Sequence, residues 1–278
     1  MTTSEEQRLT AAFHQDEHLV VSLADSVLTI TIRNLARRNA LDDASVAAFA
    51  SAMEQAQNHE AVRALLITGD GPDFCSGFDI VARNAGGGAR PRVGAIQRRL
   101  PSQAHRLIPL LLELQVPVVA AARGYAVGLG LQLLLASDFV IAADTALLWE
   151  PFAKRGMTPD GGASWLLPRV VGPLRARQML MLGRRLSGAE AQEWGIAHEC
   201  VTDVEVLARA SELAVTLAAG PTVPLGLTRW LANTGWERSL KEQLTQEALA
   251  MELSSRSPDF REGLAAFAEK RDPRFSGR

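Results

Sequence analysis

The sequence predicts an α/β protein: a sheet buried on both faces, linked by crossover helices, with a mostly helical C-terminal part. Three observations carry that prediction. Short apolar runs such as Ala64–Thr68 and Phe139–Ala142 are bounded by turn residues and separated by segments long enough for a helix. Glycine-rich turns stand where strands give way to helices, at Phe74–Ile80 and Arg123–Gly130. From about Pro173 onward the pattern is mostly helical.

Along the chain, residues 1–18 read as a polar tail, with no apolar stretch of the kind a signal peptide needs. Leu19–Leu23 and Val27–Ile32 read as two strands around an Ala-Asp-Ser turn, and Arg37–Leu41 as a loop. Asp42 or Asp43 is placed to cap a helix running to about Asn58. The strand Ala64–Thr68 ends at Gly69-Asp70-Gly71-Pro72. Residues 82–101 set Gly86-Gly87-Gly88 among Arg83, Arg90, Arg92, Arg98 and Arg99, which predicts a mobile surface loop turning helical toward its end. A helix through Leu114, a strand near Pro117–Ala121, a helix from about Leu129 and a strand at Phe139–Ala142 follow. The long apolar stretch Gly124–Ala143 is interrupted by Gln132, Ser137 and Asp138, so it reads as a buried helix leading into a buried strand rather than a membrane span.

Composition narrows the function classes. The 278 residues are 47% hydrophobic and 22% charged with a net charge of -2, an ordinary globular balance with no basic excess for nucleic acid. Cys75 and Cys200 are too few for a disulfide framework. A cytoplasmic location is the resulting expectation. No Gly-x-Ser-x-Gly elbow occurs, and histidines 14, 18, 59, 105 and 198 lie outside the motifs, which argues against a Ser-His-Asp hydrolase. Cys75 reads as a buried structural thiol sooner than a nucleophile. His14–His18 has metal-ligand residue types but sits in the tail, so no metal site is expected.

The two glycine-rich turns are the chemical signal. Glycine permits tight geometry and close ligand approach, and a helix N-terminus adds unsatisfied N–H donors. Two such donors converging on one oxygen would hold a developing oxyanion. On spacing alone such turns are more often plain structural junctions.

Further motifs sharpen this. Asn39-Ala40-Leu41, Phe74-Cys75-Ser76-Gly77-Phe78-Asp79-Ile80, Gly124-Tyr125-Ala126-Val127-Gly128, Pro159-Asp160-Gly161-Gly162, Leu167–Gly172, Ala191–Ile196 and Phe267–Arg271 occur in one fixed order. In that order they resemble the crotonase (enoyl-CoA hydratase/isomerase) superfamily over residues 19–275. The resemblance implies a ClpP-like spiral of ββα units over 19–210. It also implies a C-terminal helical region over 211–278 that builds a trimer or a dimer of trimers. It implies an acyl-CoA thioester substrate and no separate cofactor, coenzyme A being part of the substrate. The oxyanion donors map onto the backbone N–H groups of Phe78 and Leu129, Leu129 standing where the family usually has glycine. Coenzyme A contacts map onto Arg37, Arg38, Ala40, Leu41, Ser76, Asp79 and Ile80, with Phe267 and Lys270 contributed by a neighbouring subunit. Arg37, Arg38 and Lys270 are also readable as solvated surface charge.

The reaction is less directly legible. The two glutamates that hold water in the family's hydratases map onto Gln132 and Phe152, which cannot do proton chemistry. Glu150 is near in sequence but out of register, and is a candidate only as a displaced acid/base. Asp160 remains. Some enoyl-CoA and dienoyl-CoA isomerases of the family carry a catalytic aspartate there, and the epoxide isomerases of phenylacetate breakdown do so within a similar stretch. The haloaryl-CoA dehalogenases use one as a nucleophile. The alternative is a helix-capping aspartate. Trp149, Phe152, Trp165 and Gly128 would then line the acyl pocket, although the aromatic three also suit an ordinary core. The reading is an isomerase with Asp160 as acid/base. A hydratase with a displaced acid/base and a degenerate acyl-CoA binder remain as alternatives.

Overall fold

In this computed structural model, residues 3–80 and 92–278 are described. The strands in chain order are β1 (Leu19–Ala24), β2 (Val27–Ile32), β3 (Ala64–Gly69), β4 (Val118–Ala122), β5 (Tyr125–Val127), β6 (Phe139–Ala143), β7 (Leu147–Trp149), β8 (Arg185–Ser187) and β9 (Glu199–Val201). β1 and β2 pair antiparallel across a two-residue turn in which Asp25 and Ser26 both take positive φ, the twist that suits a tight hairpin. β2, β3, β4, β6 and β9 then pair parallel in a six-stranded sheet of order β1-β2-β3-β4-β6-β9. All residues of β3 and β4 are buried, as covered parallel strands require. A second sheet, β5-β7-β8, stands beside it.

The polar tail is corrected in one respect. Residues 3–10 form helix α1 (Thr3–Thr10), which packs on β1. Leu9 and the buried Phe13 give the segment an apolar anchor, and Thr10 Oγ1 accepts from the Leu23 N–H at 2.9 Å. Helix α2 (Asp43–Gln57) starts at Asp42, whose side chain accepts from the Ser45 N–H. The first half of the loop expected over 82–101 falls on residues 81–91, which lie outside the described residues; its later part contains α3 (Ala95–Arg99). Then come α4 (Leu107–Glu113) and α5 (Leu129–Leu135). The stretch 124–143 is β5, α5 and β6, a buried helix leading into a buried strand, and no described helix is long and apolar enough to cross a membrane.

The rest is mainly helical: α6 (Ala163–Leu182), broken at Gly172 ahead of Pro173, α7 (Gly188–Glu193), α8 (Val206–Ala218), α9 (Thr222–Thr234), α10 (Leu240–Ser255) and α11 (Pro258–Glu269). Small residues Ala210, Ala214 and Ala218 let α8 lie close across β3, β4 and β6, so the boundary expected at 210/211 falls inside this helix. α10 and α11 leave Leu244, Leu249, Met251, Leu264 and Phe267 exposed.

Candidate active site

Parallel neighbours β3 and β4 end on the same edge of the sheet, so the turns that follow them meet there. The Cys75 N–H donates to the Tyr125 carbonyl at 2.8 Å and the Val127 N–H to the Cys75 carbonyl at 2.9 Å. Glycine is what lets the two backbones close. A Cβ at Gly130 would stand 2.3 Å from the Cys75 carbonyl oxygen, and one at Gly77 would stand 2.7 Å from that of Val127 and 3.5 Å from the Leu129 nitrogen. Phe78 and Leu129 are thereby brought to adjoining turns. Leu129 opens α5 after Gly128, whose φ of 54° and ψ of -120° suit glycine, and the first N–H groups of a helix lack an intrahelical acceptor. The Leu129 side chain is packed into the core, leaving its backbone to face the turn.

The loop before α2 is tied to the first turn. The Leu41 N–H donates to the Gly77 carbonyl and the Asp79 N–H to the Leu41 carbonyl, while Ser76 Oγ donates to the Arg37 carbonyl at 2.8 Å. Asn39, fully buried, donates from Nδ2 to the carbonyls of Asp70 and Asp73. Ala40, Leu41 and Asp79 are buried and Ser76 and Ile80 partly so, whereas Arg37 and Arg38 are exposed. The Arg38 guanidinium lies 4.2 Å over the Tyr125 ring. Phe267 is 86% exposed near the end of α11, and Lys270 caps that end in the left-handed conformation.

The acid/base candidates gather on the other side of Gly128. Register in the small sheet pairs Val127 with Trp149, and the Gly128 N–H donates to the Trp149 carbonyl at 3.0 Å. Glu150 is therefore set beside the start of α5, one turn from Gln132. Both side chains are buried, at 0% and 1% exposure. Burial drives the Glu150 carboxyl well above the usual range, a hydrogen bond from Gln132 offsets part of that, and the Asp160 charge adds to it. That Gln132 contact is looser than an ordered bond: neither Glu150 oxygen and neither Gln132 amide atom has a partner in good geometry.

Asp160 follows on the far side of Gln132. Its side chain does not cap α6, whose N-cap is Gly162 with no side-chain bond, so the capping alternative is set aside. Asp160 is exposed, yet enough protein crowds its carboxyl that burial raises its pKa, with His105 pulling it partly back. His105 Nε2 accepts from the Gly161 N–H at 3.3 Å. Sequence reasoning left His105 out, because nothing marks it except a fold that carries α4 past the Asp160 turn.

Phe152 is buried close by in sequence. The Trp149 indole donates to the Gly183 carbonyl at 3.1 Å and carries Arg185 on its ring, and Trp165 carries Arg169 at 3.8 Å. Both rings thus have protein partners on one face. Cys75 is fully buried with its thiol pushed up to about 12, which disqualifies it as a nucleophile.

Comparison with known proteins bears on this geometry. The family profile described as enoyl-CoA hydratase/isomerase matches residues 22–278. The chain is 37% identical to the 1,2-epoxyphenylacetyl-CoA isomerase of Escherichia coli (strain K12), over 94% of this chain and 99% of that one. It is 30% identical to the 4-chlorobenzoyl coenzyme A dehalogenase-1 of an Arthrobacter species, over 92% of each. A crystal structure of an enoyl-CoA hydratase from Bacillus anthracis superposes with a TM-score of 0.87 at 29% identity, covering 94% of this chain and all of that one.

Proposed function

The chain belongs to the enoyl-CoA hydratase/isomerase family of acyl-CoA-processing enzymes and has the crotonase fold, and from that premise we propose that it shifts protons within an acyl-CoA, with Asp160 as the acid/base. One observation carries this reading: Asp160 is the carboxylate that remains open to a substrate. Glu150 is sealed off, with burial raising its pKa well above the usual range, and Gln132 and Phe152 carry no useful basicity. Asp160, as carboxylate, takes a proton from carbon. The electron pair moves onto the thioester oxygen, where the N–H groups of Phe78 and Leu129 oppose the new charge. Collapse of the enolate returns the proton from Asp160 to a different carbon, shifting the double bond with no net change in atoms.

Coenzyme A is proposed to run along Arg37–Leu41 and Ser76–Ile80, with Phe267 and Lys270 reaching a neighbouring subunit's site. The exposed apolar residues of α10 and α11 support a trimer or a dimer of trimers. A cytoplasmic location is proposed with it. Incubation with 3-hexenoyl-CoA in heavy water tests the chemistry. Deuterium should enter at the α or γ carbon, and Asp160→Asn should slow that entry by ~10²–10⁴-fold while acetoacetyl-CoA still binds. Efficient hydration of crotonyl-CoA by the wild type, or an unimpaired Asp160→Asn, would overturn the proposal. Tight binding with no exchange would mark a binder instead.

A further inference from the structure

Past the end of α11 the chain reverses and returns along the helix. Lys270 makes the reversal in the left-handed conformation, at φ 55°, and the Arg271 N–H donates to the Ala266 carbonyl at 3.1 Å. A residue other than glycine in that conformation is uncommon and needs its surroundings to hold it. The returning segment is held at two levels. Near the reversal Glu262 accepts from Arg271 Nη1 at 2.6 Å, from Nη2 at 3.0 Å and from the Arg274 N–H at 2.7 Å. At the far end Asp259, 2% exposed in the first turn of α11, accepts three more bonds. One oxygen takes the Ser276 N–H at 2.7 Å and the Ser276 hydroxyl at 2.9 Å; the other takes the Gly277 N–H at 2.8 Å.

Arg63, the residue before β3, ties this end to the body of the fold. Its Nη2 donates to the Phe275 carbonyl at 3.3 Å and the Gly220 carbonyl at 2.7 Å, and its Nε to Thr222 Oγ1 at 3.0 Å. The fit is close: a Cβ at Gly277 would stand 2.8 Å from both Arg63 Nε and Thr222 Oγ1. Apolar packing does little of this work. Of the side chains of α11 only Asp259 and Ala266 are buried, while Phe260, Leu264 and Phe267 are exposed. The helix is therefore placed within its subunit mainly by polar bonds to its own tail.

We propose that Asp259 is a positioning residue for coenzyme A: with Glu262 and Arg63 it locks residues 271–277 against α11 and so fixes the reversal that carries Phe267 and Lys270. This rests on reading those two as coenzyme A contacts. An exposed ring and an ammonium three residues apart suit the base and phosphate of the nucleotide end, and holding them in place before binding spares the ordering cost at the moment of binding.

Deuterium entry gives kcat and KM for two thioesters of 3-hexenoic acid. One is the coenzyme A ester; the other is the N-acetylcysteamine ester, which keeps the reacting carbons and lacks the nucleotide. Calorimetric binding of acetoacetyl-CoA repeats the affinity measurement without turnover. Asp259→Ala removes all three acceptors. Ser276→Pro leaves Asp259 in the helix and removes the amide and hydroxyl donors from the tail. Both variants should raise KM for the coenzyme A ester and weaken acetoacetyl-CoA binding by about 10-fold, with kcat and both constants for the short ester within about 2-fold of wild type. Unchanged affinity for the coenzyme A ligands in both variants overturns the proposal. So does an equal loss with both esters, which would mark a general loosening of the fold. Phe267→Ala and Lys270→Ala test the underlying reading by themselves: if neither weakens acetoacetyl-CoA binding, the contact assignment fails and the proposal with it. If they weaken it and the tail variants do not, the assignment stands and the positioning role alone falls.

Discussion

Replacing Arg229 with methionine should loosen the C-terminal helices from the sheet, and the size of the loss follows from what the guanidinium holds. Arg229 is 3% exposed; its Nε donates to Asp138 Oδ2 at 2.6 Å and its Nη1 to the carbonyls of Leu112 and Leu114 at 2.8 Å each. One side chain thus joins α9 to the C-terminal end of α4 and to the residue before β6. Burial raises the Asp138 pKa, while Arg229 and the Val118 N–H pull it back. Methionine fills much of the volume but takes the guanidinium away from a mostly buried carboxylate, which keeps only the Val118 N–H, and from the Leu114 carbonyl, while the Leu112 carbonyl keeps Asn233 Nδ2. Removing one partner of a buried pair costs about 3–5 kcal/mol. The sign of the pH dependence follows. Without Arg229 the folded-state pKa of Asp138 rises further above its ordinary 3.8, so the penalty is largest at neutral pH and fades as the carboxyl protonates. Urea denaturation at fixed protein concentration, near pH 7 and near pH 4, measures both. Adding Asp138→Asn should recover about 1–2 kcal/mol at neutral pH. A loss below about 1 kcal/mol, or an equal loss at both pH values, would refute the reasoning.

Four further outcomes are expected. Glu150→Gln should remove a pH slope from stability. The raised carboxyl costs the wild-type fold up to about 1.4 kcal/mol per pH unit as pH climbs from 4.5 toward the folded pKa, and glutamine has no such cost. The rate of deuterium entry should fall on the acid side, at a pH above the ordinary aspartate range, because Asp160 must be ionised to act and its pKa is raised; a profile flat through the acid range would count against that base. Gly130→Ala should cut deuterium entry by about 10²-fold by prising the two turns apart, and wild-type rates would show that their close approach does not matter. Asn39→Ala should cost about 2–4 kcal/mol in urea denaturation, since it deprives the Asp70 and Asp73 carbonyls of a donor and the Asn34 N–H of an acceptor.

Local signals alone sufficed for β1 to β4, β6 and the helices α2, α4 and α5, because apolar period and turn chemistry are local, but not for the three-residue strands β5, β7, β8 and β9, which exist only through their pairing. The Asp25-Ser26 hairpin, the Asp42 cap and the buried run through α5 into β6 could all be read before any contact was known. The sequence also determined the family, through loose motifs in a rigid order, and the position of Asp160. Residues 3–10 were misread because their helix depends on Leu9 and Phe13 meeting a sheet that no local window contains. The surroundings of Asp160 come from long-range packing alone. His105 arrives from the turn before α4, and Glu150 enters through the pairing of Val127 with Trp149. In sequence Glu150 stands two residues from the position the family uses, and counting along the chain placed it out of reach. A strand register answers to its neighbour's hydrogen bonds instead, and here it turns that carboxyl inward against Gln132. Desolvation, which raises the pKa of both Glu150 and Asp160, depends on how many atoms crowd a group from every side, and only the folded chain supplies them.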